Sequence, residues 1–358
     1  MNTMTTFKEI FDLLSQPIFF VREQTIEYSN FAASRRMIRE GDALEKYLDD
    51  VSSACVEGDQ PVHLLLKVAG QSCWATTRPF EDGLLFALED DGAEDTQPEM
   101  LLPMASAVIG PLNQIMTSAR GLSALMQDTE DAAFRKNTVS LTKSCYRLMR
   151  FSKNLSAVRD ALTDEAVVIR KEGDLRAFID DLYQKVRPLL EKADLTLTCS
   201  LPDEPLMAWF DAIRLRRAIL NLLDNSAKFT PAGGEIALNL DLLPNYARIS
   251  VKDNGRGFDP DVLASAFRRY TRHVGMEEFE WGPGFGLPIV RSIVENHSGT
   301  VMIRSAKGRG AAVMMTVKLG IPPADQTTET PMSRFDYTGG VDAALLELSD
   351  ALPNECYD

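Results

Sequence analysis

The sequence predicts a multidomain α+β protein: a small α/β domain, a two-helix hairpin able to form a dimeric four-helix bundle, and a larger α/β sandwich. Three observations predict it. Short strand patterns crowd residues 17–88 and again 195–317, and two helical seams run between them over 100–160. Three blocks rich in Asn, Asp and Gly then punctuate 221–287. Alternation of period two marks strands, and apolar residues spaced by three and four mark helices.

Composition bounds the answer. A chain of 358 residues has room for two or three domains. With 45% apolar and 25% charged residues it is ordinary for a globular protein. A net charge of −14 argues against a nucleic-acid surface. Much of the excess lies in 321–358, where eight acids meet one arginine. Cys55, Cys73, Cys145, Cys199 and Cys356 are odd in number and lack CxxC spacing, which reads as reduced and cytoplasmic. No run approaches about 20 apolar residues, and the N-terminus lacks the shape of a signal peptide. No membrane span is expected.

Residues 1–90 form the first domain. Residues 7–14 read as a short helix, 17–21 and 25–29 as a strand hairpin, and Asn30 as a helix start. Three further strands read at 63–68, 71–77 and 83–88. His63 reads as a satisfied strand histidine in preference to a haem ligand. Residues 91–99 are an acidic linker.

Residues 100–162 hold the hairpin. Leu101, Ala105, Val108, Leu112, Ile115, Ala119, Leu122 and Met126 keep a strict 4-3 spacing, as do Leu141, Cys145, Leu148, Ser152 and Leu155. A lone hairpin cannot bury both seams; two copies would make a four-helix bundle. Packing on the chain's own domains is the alternative.

Residues 165–319 make the third domain. A strand reads at 167–170 and a helix at 175–193, with Asp174 as its N-cap. Strands at 195–200 and 206–210 precede an apolar helix that carries Asn221 and Asn225. Hairpins read at 236–251 and 300–317. The acidic tail, 320–358, reads as flexible over 320–333 and as a short amphipathic helix over 343–352, free to dock on its own core or on a partner.

The chemistry sits in three blocks. Asn221 and Asn225, four apart, share a helix face. Their amide oxygens suit Mg²⁺, a hard cation that keeps phosphates and water as its other ligands. Lys228, one turn on, offers a point charge to phosphate. Asp253 follows the alternating Ala247, Ile249 and Val251, so it stands at a strand end. There it can accept from an exocyclic amine, while Gly255 and Gly257 let the backbone approach a base. Gly282, Gly284 and Gly286 open the helix that begins at Leu287, and N–H groups at such an end attract phosphate. An amphipathic helix, an Asp-Asn-Gly turn and a lone glycine run each explain one block in structural terms. They do not explain three in this order.

In that order the blocks resemble the N, G1 and G2 boxes of the nucleotide-binding domain shared by sensor histidine kinases, gyrase, a class of heat-shock chaperones and MutL. Residues 267–270 resemble its F box, with the lid at 271–281. The resemblance implies ATP and Mg²⁺ as cofactors, with Asn225 on the metal and Asp253 reading the adenine amino group. Asn221, Lys228, Phe229, Gly255, Gly257, Gly282, Gly284, Gly286 and Leu287 complete the implied site. Hydrolysing members carry a glutamate base where this chain has Asn221. An amide accepts no proton near neutral pH, so phosphoryl transfer or plain nucleotide binding is implied. The first domain resembles a PAS domain and the hairpin a kinase dimerisation hairpin, which implies a homodimer and a response regulator or partner kinase.

The hairpin departs from that family. Anchored on Pro111, Leu112 and Asn113, the pattern puts Ser106 at the phosphoacceptor position, Ala107 at the acid and Gly110 at the Thr/Asn. The three histidines, His63, His273 and His297, lie outside both helices. A hydroxyl without an adjacent base is a poor nucleophile. The sequence therefore reads as a soluble histidine-kinase-like two-component protein unable to autophosphorylate in the usual place. A protein-serine kinase on the same fold and a nucleotide-dependent scaffold are the alternatives.

Overall fold

The computed structural model describes residues 8, 11–12, 14–48, 60–89, 115, 132–163, 168–263, 266–267, 285–320 and 342–357. The acidic linker, all but Ile115 of the first hairpin helix with Ser106, most of the 7–14 helix, Cys55, the lid with His273, Gly282 and Gly284 lie outside them.

The N-terminal part builds strands β1 (Ile18–Arg22), β2 (Thr25–Ser29), β3 (Val62–Val68), β4 (Gln71–Phe80) and β5 (Gly83–Leu88), with the short helix α1 (Phe31–Arg35). Asn30 caps α1 by accepting the Ala33 amide at 2.9 Å, and the same oxygen takes the Ile18 amide at 3.0 Å. One side chain thus fixes a helix start and a strand start together. Phe19 stacks on Phe86 with ring centroids 4.7 Å apart.

Helix α2 (Ala132–Thr163) follows, then β6 (Lys171–Asp174), α3 (Leu175–Lys192), β7 (Thr196–Ser200), β8 (Met207–Phe210) and α4 (Ala212–Phe229). The hairpin β9 (Glu235–Leu242) and β10 (Tyr246–Asp253), helix α5 (Pro260–Leu263), helix α6 (Gly286–Glu295) and the hairpin β11 (Val301–Ser305) and β12 (Ala311–Lys318) complete this part. The strand expected at 167–170 lies at 171–174 instead. Lys171 pairs with Phe210, and the Ile169 amide is taken by the Asp211 carboxylate, so this stretch serves a helix cap before the strand begins.

Aspartates start both long helices. Asp174 accepts the Arg176 and Ala177 amides, and Asp211 accepts those of Ile213 and Arg214, satisfying N–H groups that have no partner inside the helix. Helix α3 buries Leu175, Ile179, Leu182, Val186 and Leu190, the single face its spacing predicts. Helix α4 buries Leu215, Ile219, Leu220, Leu222 and Leu223. Each fully buried leucine contributes about 1.5–3 kcal/mol.

Among the described residues ten strands form one sheet in the order β2-β1-β5-β4-β3-β11-β12-β10-β9-β7. The two β-rich parts share it: β3 runs antiparallel to β11, with Ile303 opposite His63 and Arg304 opposite Val62. Trp74, on β4, packs into the hydrophobic core of the C-terminal part, and its ring stands 4.8 Å from Phe267. His63 is fully buried here, stacked on Trp74 at 4.9 Å with its Nδ1 3.0 Å from the Thr76 hydroxyl.

The tail docks on its own chain. Helix α7 (Ala343–Glu347) is capped by Asp342, and Leu346, Leu348, Leu352 and Tyr357 are buried against α2 and the main core. No helix among the described residues is long and apolar enough to cross a membrane.

Candidate nucleotide-binding site

A cavity of about 480 Å³ opens between α4, the end of β10 and the start of α6. Its walls bring together Asn225, Phe229, Asp253, Gly257 and Leu287, drawn from all three sequence blocks. The lining is mostly apolar, as a site for a flat base requires.

Asp253 stands at its base. One carboxylate oxygen accepts the Gly255 amide at 3.0 Å and the Ala311 amide at 3.1 Å; the other accepts the Ser226 hydroxyl at 3.0 Å. Burial raises the pKa of this carboxyl above the usual carboxylate range, and the three donors pull it back only in part. The result is a fixed, largely desolvated acceptor. Gly255 is required because a Cβ there would stand 2.3 Å from the Phe229 carbonyl oxygen. Gly257 has φ +66°, a conformation that favours glycine.

Asn225 faces the start of α6. A Cβ on Gly286 would lie 3.4 Å from the Asn225 amide nitrogen, so the glycine leaves this amide uncovered at a helix N-terminus. Asn221, on the same helix face, is fully buried and does not line the cavity. Its amide donates to the Arg217 carbonyl at 2.9 Å, and its oxygen accepts from Arg150 at 3.3 Å. Lys228 also stands outside the cavity lining, held 2.6 Å from Asp224 and 3.0 Å from Asp350.

Several residues at the site escaped the sequence reading. The Arg256 guanidinium lies 4.5 Å over the Phe229 ring. Ser226 orients Asp253, and its place one residue after Asn225 is the only signal it gives in sequence. Ala311 and Lys307 reach the cavity from the far hairpin. Away from the cavity, His297 joins the start of α4 to the end of α6: its Nε2 accepts the Asp211 amide at 2.9 Å, and its Nδ1 donates to the Ile293 carbonyl at 2.7 Å. Burial lowers its pKa below the ordinary histidine value, against the pull of the Ile293 carbonyl.

These features place the cavity in a mixed α/β domain. Residues 210–321 match the family described as histidine kinase-, DNA gyrase B-, and HSP90-like ATPase, so the chain carries a histidine-kinase-like ATPase domain. The sensor histidine kinase TmoS of Ectopseudomonas mendocina is 30% identical over 240 residues, 66% of this chain and 24% of TmoS. The histidine protein kinase DivJ of Caulobacter vibrioides is 30% identical over 158 residues, 44% of this chain and 26% of DivJ. The chain thus spans about a quarter of the length of these relatives. Among solved structures, full-length ShkA in complex with AMPPNP is 23% identical with a TM-score of 0.49, covering 64% of this chain and 47% of that one.

Proposed function

We propose that the chain is a histidine-kinase-like two-component signalling protein that binds ATP with Mg²⁺ and senses through its PAS-like N-terminal part. The observation that carries the reading is the Asp253 carboxylate, fixed by three donors at the base of a cavity whose walls draw on all three sequence blocks. Asp253 orients the base by accepting its exocyclic amine. Asn225 fits a hard cation, since an amide oxygen suits Mg²⁺ and Gly286 leaves room beside it. The ion would supply charge neutralisation at the phosphates.

The histidines favour a protein that does not phosphorylate itself in the usual place. His63 and His297 are buried, and His297 is engaged at both nitrogens. Within the α2 seam Cys145 and Ser152 are buried against this chain's own elements, while Leu141 and Leu148 stay exposed, and that exposed pair supports a homodimer through the hairpin. A response regulator or partner kinase is the expected acceptor or regulator. Titration calorimetry with Mg·AMPPNP, followed by incubation with γ-labelled ATP, tests the reading. Nucleotide binding with no label on the chain is expected; acid-labile label on the chain would overturn the loss of autophosphorylation, and no binding would overturn the whole.

A further inference from the structure

Three carboxylates, Asp224 of α4 and Glu347 and Asp350 of the tail, converge on two cations. Arg150, on α2, lies 2.8 Å from Asp224 and 2.9 Å from Asp350, with Glu347 at 3.6 Å. Lys228, on α4, shares both aspartates. Asp224 belongs to α4 itself and is fully buried between the two cations. One carboxylate cannot neutralise two cations, and Asp350 supplies the second charge. Arg147 adds a contact to Asp350 at 3.3 Å, and Arg217 one to Glu347 at 3.5 Å.

The segment that brings Asp350 is seated by more than charge. Lys143 donates to the Leu352 carbonyl at 2.5 Å, and the Tyr357 ring meets Tyr146 at 5.1 Å. Burial works to raise the Asp350 carboxyl, and Lys228 and Arg150 outweigh it, leaving it below the usual carboxylate range.

Lys228 lies one turn beyond Asn225, where its ammonium suits a phosphate oxygen. A carboxylate oxygen offers the same charge and acceptor geometry. We propose that the C-terminal segment 342–357 is an internal competitor of nucleotide: Asp350 holds the Lys228 ammonium as a phosphate would, and the segment must release before Lys228 can turn to the cavity. Because Arg150 also donates to Asn221, the same clasp holds α2 on the helix that carries both asparagines. The inference rests on reading the cavity as a nucleotide site.

The test is the dissociation constant of Mg·AMPPNP for the full chain, for Asp350→Asn, and for Glu347→Gln with Asp350→Asn. Glu355→Gln, which alters an exposed carboxylate of the same segment, controls for net charge. Asp350→Asn is expected to tighten binding about tenfold, the gain for a clasp closed in nine molecules of ten. Glu355→Gln is expected to change nothing. Equal or weaker binding in both Asp350 variants overturns the competitor while leaving the nucleotide site intact. Binding by none of the proteins removes the site reading and this proposal with it. A second measurement needs no variant. Coupling is reciprocal, so saturating AMPPNP should speed alkylation of half-buried Cys356 about tenfold, read by peptide mass mapping. An unchanged rate with nucleotide bound overturns the proposal.

Discussion

The Ser226 hydroxyl donates to Asp253 across 3.0 Å and ties helix α4 to the end of β10. The two residues belong to different sequence blocks, and the bond sets the angle at which the acid meets the cavity. An amide at 253 keeps one oxygen for the Gly255 and Ala311 amides and turns its N–H₂ toward the other side. It then faces the Ser226 hydroxyl and the base with a donor. Asp253→Asn is expected to weaken adenine-nucleotide binding by roughly a hundredfold. Calorimetry on the variant checks it, and parental affinity would misplace the adenine pocket.

Gly310 has φ +71°, and a Cβ there would stand 2.0 Å from the Asp253 carbonyl oxygen. Gly310→Ala combines backbone strain with a clash against main chain, which cannot swing aside as a long side chain can. A loss of about 2 kcal/mol or more in stability is expected. Urea denaturation measures it, together with a fall in nucleotide affinity because the displaced strand end carries Asp253.

Arg150 is buried among Asp224, Glu347 and Asp350. Burial opposes its charge, and the carboxylates outweigh that penalty, raising its pKa above the ordinary arginine value. Arg150→Met removes the cation and strands buried carboxylates. A loss of about 3 kcal/mol is expected, read from the shift in denaturation midpoint. A change within experimental error would show that the carboxylates are satisfied without it.

His297 gives the stability a pH dependence. Its folded pKa lies below its ordinary value of 6.5, so the unfolded chain takes up a proton that the folded chain refuses. The stabilising contribution is full above that value and falls as pH drops from there toward the depressed folded pKa. Thermal melts at pH 7.5 and 5.5 should show the decline, and His297→Gln should flatten it.

Much of this was readable in the sequence because the signals were local. Asp174 and Asp211 cap helices within three residues of themselves, and the alternation of Ala247, Ile249 and Val251 aligned β10 so that Asp253 fell at its end. Asn225, Phe229, Asp253, Gly257 and Leu287, singled out by the three blocks, come together around one cavity. What escaped was set by distance along the chain. Lys228 meets Asp350 across 122 residues, and no periodicity in either segment encodes that pairing. The apolar spacing of the tail announced a helix and left its seat open; the cations of α2 and α4 decide it. Asn221 and Asn225 share a face by spacing alone, but the approach of Arg150 from α2 buries one and leaves the other at the cavity.

The short pairing of β3 with β11 bears on how such a chain can be rebuilt. Terminal domains are often treated as cassettes to be exchanged between proteins. Here, exchange of the N-terminal part would uncover the outer edge of β11, an unpaired rim that invites pairing with other chains. It would also withdraw Trp74 from its seat against Phe267 and beneath the Arg291 guanidinium. A working graft must therefore bring a matching strand edge for β11 and an aromatic of similar size to pack on Phe267.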